Sequence, residues 1–140
     1  LEHMYGPKDD VAKFVPWIIE QLKQNKSKIE LTEGKQERDF VFVTDVTSAY
    51  LTVLKQRNGL SQFSEFDVGT GEPVTVRRFV TELAEQYKQR NPENNTVLGF
   101  GAMPYRENEI MEVIVDVDSL KRLGWMPKIN HESGIRNILS

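Results

Sequence analysis

The sequence predicts a layered fold of the α/β or α+β class in one domain. Three observations lead there. β-prone apolar runs alternate with segments whose apolar residues recur on one helical face. Clusters of Gly, Pro and Asn separate them. No internal repeat or low-complexity tract interrupts the alternation, and 140 residues can bury a core.

Each element has its own signal. Val11, Phe14, Val15, Ile18, Ile19 and Leu22 fall on one face of a helix over Val11–Gln24. Pro16 belongs in its first turn, so regular helix begins near Val15. Ile29 to Thr32 alternates like a half-buried strand, and Phe40 to Val43 is continuous and β-prone, with a Gly34 turn between them. Thr44 or Asp45 caps a helix to about Arg57, whose apolar face is Val46, Ala49, Tyr50, Val53 and Leu54. Phe63 to Val68 reads as another strand, ended by Gly69-Thr70-Gly71. Val74 to Arg90 is a helix with Val76, Phe79, Val80, Leu83, Ala84 and Tyr87 inward, stopped by Asn91-Pro92. A strand at Thr96–Phe100, a short helix capped by Asp118 and a last amphipathic helix from Asn130 to Leu139 complete the chain.

Composition narrows the function classes. A formal charge of -3, with 18 basic residues spread among 21 acidic ones, argues against nucleic-acid binding, which needs clustered cations. The absence of cysteine removes disulfide scaffolds and thiolate metal sites and suits a reducing compartment, so the cytoplasm is the expected location. No apolar run has the length of a membrane span. Leu1-Glu2-His3-Met4 reads as a cloning scar, which sets His3 aside as a ligand and puts the domain at residues 5–140.

Chemistry-bearing residues are few. His131, on the terminal helix, is expected to be a surface residue. Asp116 and Asp118 are spaced like metal ligands but lack the glycine and glutamate of a calcium loop, and a helix cap explains Asp118. Gly69-Thr70-Gly71 suits either a phosphate-binding turn or a plain strand-to-helix turn. The arginines are more telling. Arg38 follows a glycine turn at the mouth of a strand, and Arg106 sits in the polar loop Met103 to Glu109 after another. Two guanidiniums at strand ends suit a diphosphate, since each offers a planar fork of donors. The alternative is exposed pairing, of Arg38 with Asp39 or Glu37 and of Arg106 with Glu109.

One ordered set of motifs adds to this. Tyr5-Gly6-Pro7, Phe14-Val15-Pro16, Gly34-x-Gln36-x-Arg38-Asp39-Phe40-Val41-Phe42-Val43-x-Asp45-Val46, Phe66-Asp67-Val68-Gly69-Thr70-Gly71, Pro104-x-Arg106-x-x-Glu109 and Leu123-Gly124-Trp125-x-Pro127 occur in that order. Together they resemble the C-terminal part of the NAD(P)-dependent nucleotide-sugar epimerases and dehydratases of the extended short-chain dehydrogenase/reductase family. The likeness covers nearly all of Tyr5 to Leu139.

The resemblance implies the substrate-binding part of that fold, acting on a nucleoside-diphosphate sugar in deoxysugar or surface-polysaccharide synthesis. It assigns Arg38 and Arg106 to the diphosphate, Glu109 to the ribose, Leu31 to the base, and Val15 and Pro16 to the pocket wall. Asp67 departs from the family's usual asparagine, and its negative charge makes it a poor phosphate ligand. The glycine-rich dinucleotide fingerprint and the Tyr-x-x-x-Lys pair are absent; Asp9 stands four residues after Tyr5. The resemblance therefore implies NAD or NADP in a longer enzyme, with no cofactor site and no catalytic residue in this chain. It also places Phe63 to Val68 in the cofactor-binding sheet. Without that sheet, Tyr50, Val53, Leu54, Phe79 and Leu83 would lie bare, so a homo-oligomer is expected. A stand-alone, non-catalytic binding module is the alternative.

Overall fold

The computed structural model describes residues 1–140. Three two-stranded sheets and five helices make up the chain. Strand β1 (His3–Tyr5) runs parallel to β4 (Phe40–Phe42), and β2 (Lys28–Leu31) runs parallel to β6 (Val97–Phe100). Strand β3 (Glu37–Arg38) pairs antiparallel with β5 (Val74–Thr75). The helices are α1 (Phe14–Lys23), α2 (Val43–Gln56), α3 (Val76–Arg90), α4 (Asp118–Arg122) and α5 (His131–Ile138).

The helical periodicities carry over into burial. Helix α1 begins at Phe14, so Pro16 lies in the first turn, where no intrahelical N–H is required. It buries Val15, Ile18, Ile19 and Leu22. Helix α3 buries Val76, Phe79, Val80 and Leu83, and its Thr75 cap accepts the Arg78 amide at 3.2 Å. Helix α5 is capped by Asn130, which accepts from the Ser133 amide at 2.9 Å. Strand β2 shows the expected alternation, with Ile29 and Leu31 buried and Lys28 and Glu30 exposed.

These faces meet in one principal core around an aromatic cluster. The Phe40 and Phe79 rings stack at 3.8 Å, and Tyr5 stands edge-on to Phe40, Phe42 and Phe79. Such pairs add about 0.5–1.5 kcal/mol each beyond area burial. The Tyr5 hydroxyl donates to the His131 carbonyl at 3.3 Å, tying the start of the chain to α5. Gly134 permits that approach, since a Cβ there would fall 2.0 Å from the Tyr5 oxygen. A smaller cluster joins Ala49, Leu120 and Trp125.

Four expectations need correction. Phe63 to Val68 is not a strand: its one backbone bond to the start of the chain runs from the amide of Glu2, just before β1, to the Val68 carbonyl at 3.0 Å, and a strand needs a ladder. Phe79 and Leu83 are fully buried in the chain's own core, so only Tyr50 and Leu54 of the expected bare set are exposed, with Val53 half-buried. Neither Thr44 nor Asp45 caps α2, whose N-cap is Phe42. The Asp45 carboxylate instead accepts the Lys128 and Ile129 amides at 2.9 and 2.8 Å, pinning the segment before α5 to α2. At α4 the capping acceptor is Asp116, which takes the Asp118 amide at 3.1 Å and the Ser119 hydroxyl at 2.8 Å.

Candidate functional site

A cleft of about 410 Å³ opens where α1, the turn after β2, strand β3 and the loop after β6 meet. Its floor depends on Gly34, whose φ of +72° and tight approach to Arg77 exclude a side chain. The Gly34 carbonyl accepts the Arg77 amide at 2.8 Å, which fixes the turn against the start of α3. Pairing of β3 with β5 then sets Arg38 opposite Val74. The Glu37 amide donates to the Met111 carbonyl at 2.7 Å, drawing the loop after β6 alongside β3.

Arg38 is held on several sides. Its Nη1 donates to the Glu37 and Ile110 carbonyls at 2.6 and 2.7 Å, and its Nη2 pairs with Glu109 Oε1. Both side chains of that ion pair are largely buried, so the pair resists screening more than a surface pair would. Arg106 lies exposed in the lining of the same cleft and has no acidic partner in the chain. Neither exposed pairing expected for these arginines is formed. Phe14, Trp17, Leu31, Phe100 and Met103 also line the cleft. The Arg77 guanidinium covers the Phe100 ring at 4.1 Å.

Four of the six residues singled out in the sequence, Leu31, Arg38, Arg106 and Glu109, line this one cleft. Val15 and Pro16 line a separate cavity of about 250 Å³, which shares His3, Phe14 and Phe40 with it. Leu31 packs mainly into the core, leaving Trp17 the more accessible flat surface. Trp17 was missed in the sequence, although it falls outside the Val15-Ile18-Ile19-Leu22 stripe, and an aromatic off the core face is a usable signal. His3 was missed because the first four residues read as foreign; His3 and Met4 lie within β1.

Other candidates fall elsewhere. The Asp39 carboxylate, fully buried, accepts the Thr70 amide at 2.8 Å, the Thr70 hydroxyl at 2.6 Å and the Gly71 amide at 2.7 Å. A side chain on Gly69 would meet that carboxylate at 2.6 Å. The Gly-Thr-Gly turn thus binds the chain's own anion, its donors are committed, and it does not fit a dinucleotide pyrophosphate. Asp67 accepts the Asp116 amide at 3.3 Å, away from the cleft. His131 pairs with Glu82 at 2.9 Å across α5 and α3. The Ser119 hydroxyl and the Asp118 amide hold the Asp116 carboxyl below its usual range, as befits a cap.

Residues 1–69 match the NAD dependent epimerase/dehydratase family. A CDP-abequose synthase of Salmonella typhimurium is 40% identical over 139 residues, 99% of this chain and 46% of that protein. The chain is thus similar to this family along nearly its whole length. A CDP-abequose synthase of Salmonella muenchen is 34% identical over all 140 residues, so the first four align with a relative as well as joining the fold. The chain spans 46% and 45% of these two relatives. Among solved structures, that of RMD from Pseudomonas aeruginosa complexed with NADPH superposes with a TM-score of 0.73 at 25% identity, over 98% of this chain and 44% of that one. The architecture is thus a mixed α/β part of the family fold, and no helix is long and apolar enough to cross a membrane.

Proposed function

We propose that this chain is the nucleotide-sugar-binding part of an NAD(P)-dependent sugar epimerase, dehydratase or reductase serving deoxysugar or surface-polysaccharide synthesis. The observation that carries the reading is one cleft whose lining brings two arginines together with aromatic and apolar side chains. A nucleoside diphosphate has the same polarity, a flat base at one end and a dianion at the other. Arg38, immobilised by two carbonyls, presents a preorganised donor edge, and unpaired Arg106 supplies a charge. Glu109 ties one oxygen to Arg38, leaving the other to accept from a ribose hydroxyl. Trp17 and Leu31 offer apolar surface to the base. The Salmonella relatives named for a CDP sugar support a cytidine ligand.

Binding and orientation are what these residues can perform. A bound NAD or NADP would supply hydride chemistry in a longer enzyme. Cytoplasmic location and self-association belong to the same proposal.

Calorimetric titration with CDP-glucose and UDP-glucose tests the reading. Arg106→Ala is expected to remove a charge-assisted contact worth roughly 1.5–3 kcal/mol, a loss of about ten- to a hundredfold in affinity. Binding by wild type that is unchanged in both Arg38→Ala and Arg106→Ala overturns the site.

A further inference from the structure

His3 stands at the junction of three hollows. On β1 it faces Phe40 of β4, its ring edge-on with centroids 5.9 Å apart. Its backbone amide donates to the Asp39 carbonyl at 3.0 Å, while its imidazole has no acidic partner in the chain. The residue borders the cleft with Arg38, Arg106 and Glu109, a hollow of about 360 Å³ behind them, and the Val15–Pro16 cavity.

We propose that His3 is a titrating ligand of the diphosphate: its imidazole takes a proton from solvent as the nucleotide sugar enters and donates an N–H to a phosphoryl oxygen. The proposal rests on the reading of the cleft as a diphosphate site.

Charge bookkeeping leads to it. The diphosphate diester carries two negative charges, and Arg38 is already neutralised by Glu109. Lys13 is paired with Asp9 at 2.8 Å, and Asp39 is committed to the Gly-Thr-Gly turn. Glu2 before β1, Glu30 on β2 and Glu107 on the loop add no positive charge, and the Arg77 guanidinium covers Phe100 without lining the cleft, leaving Arg106 as the one unmatched cation among the lining residues. A protonated His3 supplies the second. In the free chain, burial of the ring and then the Arg38 charge lower the His3 pKa. A bound dianion opposes both effects and raises it. Affinity is therefore greatest below the free-state pKa and falls as pH rises through the bound-state pKa.

The test is titration calorimetry with CDP-glucose and UDP-glucose, whose diphosphate diesters do not titrate near neutrality, in buffers of different ionisation enthalpy. For a one-unit rise in pKa, wild type should take up about half a proton per ligand at the pH midway between the free and bound values, and bind about tenfold tighter well below both values than well above them. His3→Gln should show no uptake and a flat profile; His131→Gln, which alters the other histidine, should keep both. If His3→Gln fails to fold, the ring's NMR titration in wild type with and without ligand reads the same shift. Uptake-free, pH-independent binding by wild type, or uptake that survives His3→Gln, overturns the proposal while leaving the Arg106 reading intact. No binding at any pH overturns both.

Discussion

Replacing Asp39 with Asn separates a structural role from a ligand role within the "RDF" element. Asp39 is fully buried, and its two oxygens accept three bonds, Oδ1 from the Thr70 amide and hydroxyl and Oδ2 from the Gly71 amide. Asn has nearly the same shape. With its oxygen in the Oδ1 position it keeps two acceptor contacts, now uncharged, but sets an NH2 against the Gly71 N–H. One charge-assisted bond is lost, two are weakened, and a buried donor is left unmatched. At about 1.5–3 kcal/mol for a bond to a charged group, the variant should lose roughly 2–4 kcal/mol, against a total near 5–15 kcal/mol for a domain. For a chain of this length each kcal/mol is about 3–4 °C, so the melting temperature should fall by roughly 6–15 °C. Urea unfolding followed by circular dichroism, with a shifted midpoint and unchanged slope, is the assay. Stability within about 0.5 kcal/mol of wild type would show that the Gly-Thr-Gly turn does not depend on this carboxylate and would reopen it as an anion site.

Tyr5 is buried, and burial, with the Asp45 charge adding to it, raises its hydroxyl pKa well above the ordinary value near 10. Its contribution is therefore complete below about pH 10 and is lost as pH climbs towards the raised folded-state value, because the unfolded chain ionises first. Tyr5→Phe should lose up to about 1 kcal/mol at pH 7 through the weak bond to the His131 carbonyl, yet show a shallower decline above pH 10 in denaturant titrations. An equal alkaline slope in the two proteins would refute the burial argument. Tyr50, Leu51, Leu54 and Phe63 are 64%, 50%, 58% and 81% exposed around α2 and the segment after it, an apolar patch that favours self-association. Light scattering at tens of micromolar should find dimers or larger species that Leu54→Glu dissociates; a monomeric wild type would dismiss this surface.

Local pattern made the helices legible. The stripes of α1 and α3 repeat at helical spacing, and the Thr75 and Asn130 caps and the Gly34 turn act through residues a few positions apart. Arg38 and Arg106 could be singled out as candidates too, because strand-end arginines and the ordered motifs stand in the sequence itself, and both line the cleft. Partner choice was not. Phe63 to Val68 has the composition of a strand, but strand formation is settled by whether another backbone lies alongside, which no local pattern records. Arg38 had acids at the neighbouring positions 37 and 39 and instead took Glu109, because Asp39 turns inward to the Gly-Thr-Gly amides and the loop after β6 is drawn against β3. His3 and Trp17 join the cleft for the same reason: β1 pairs with β4, and α1 packs its stripe on the core and leaves its off-stripe face towards the opening. Periodicity determined which residues turn inward; the long-range pairing of short strands, with separations of tens of residues, decided which of them meet.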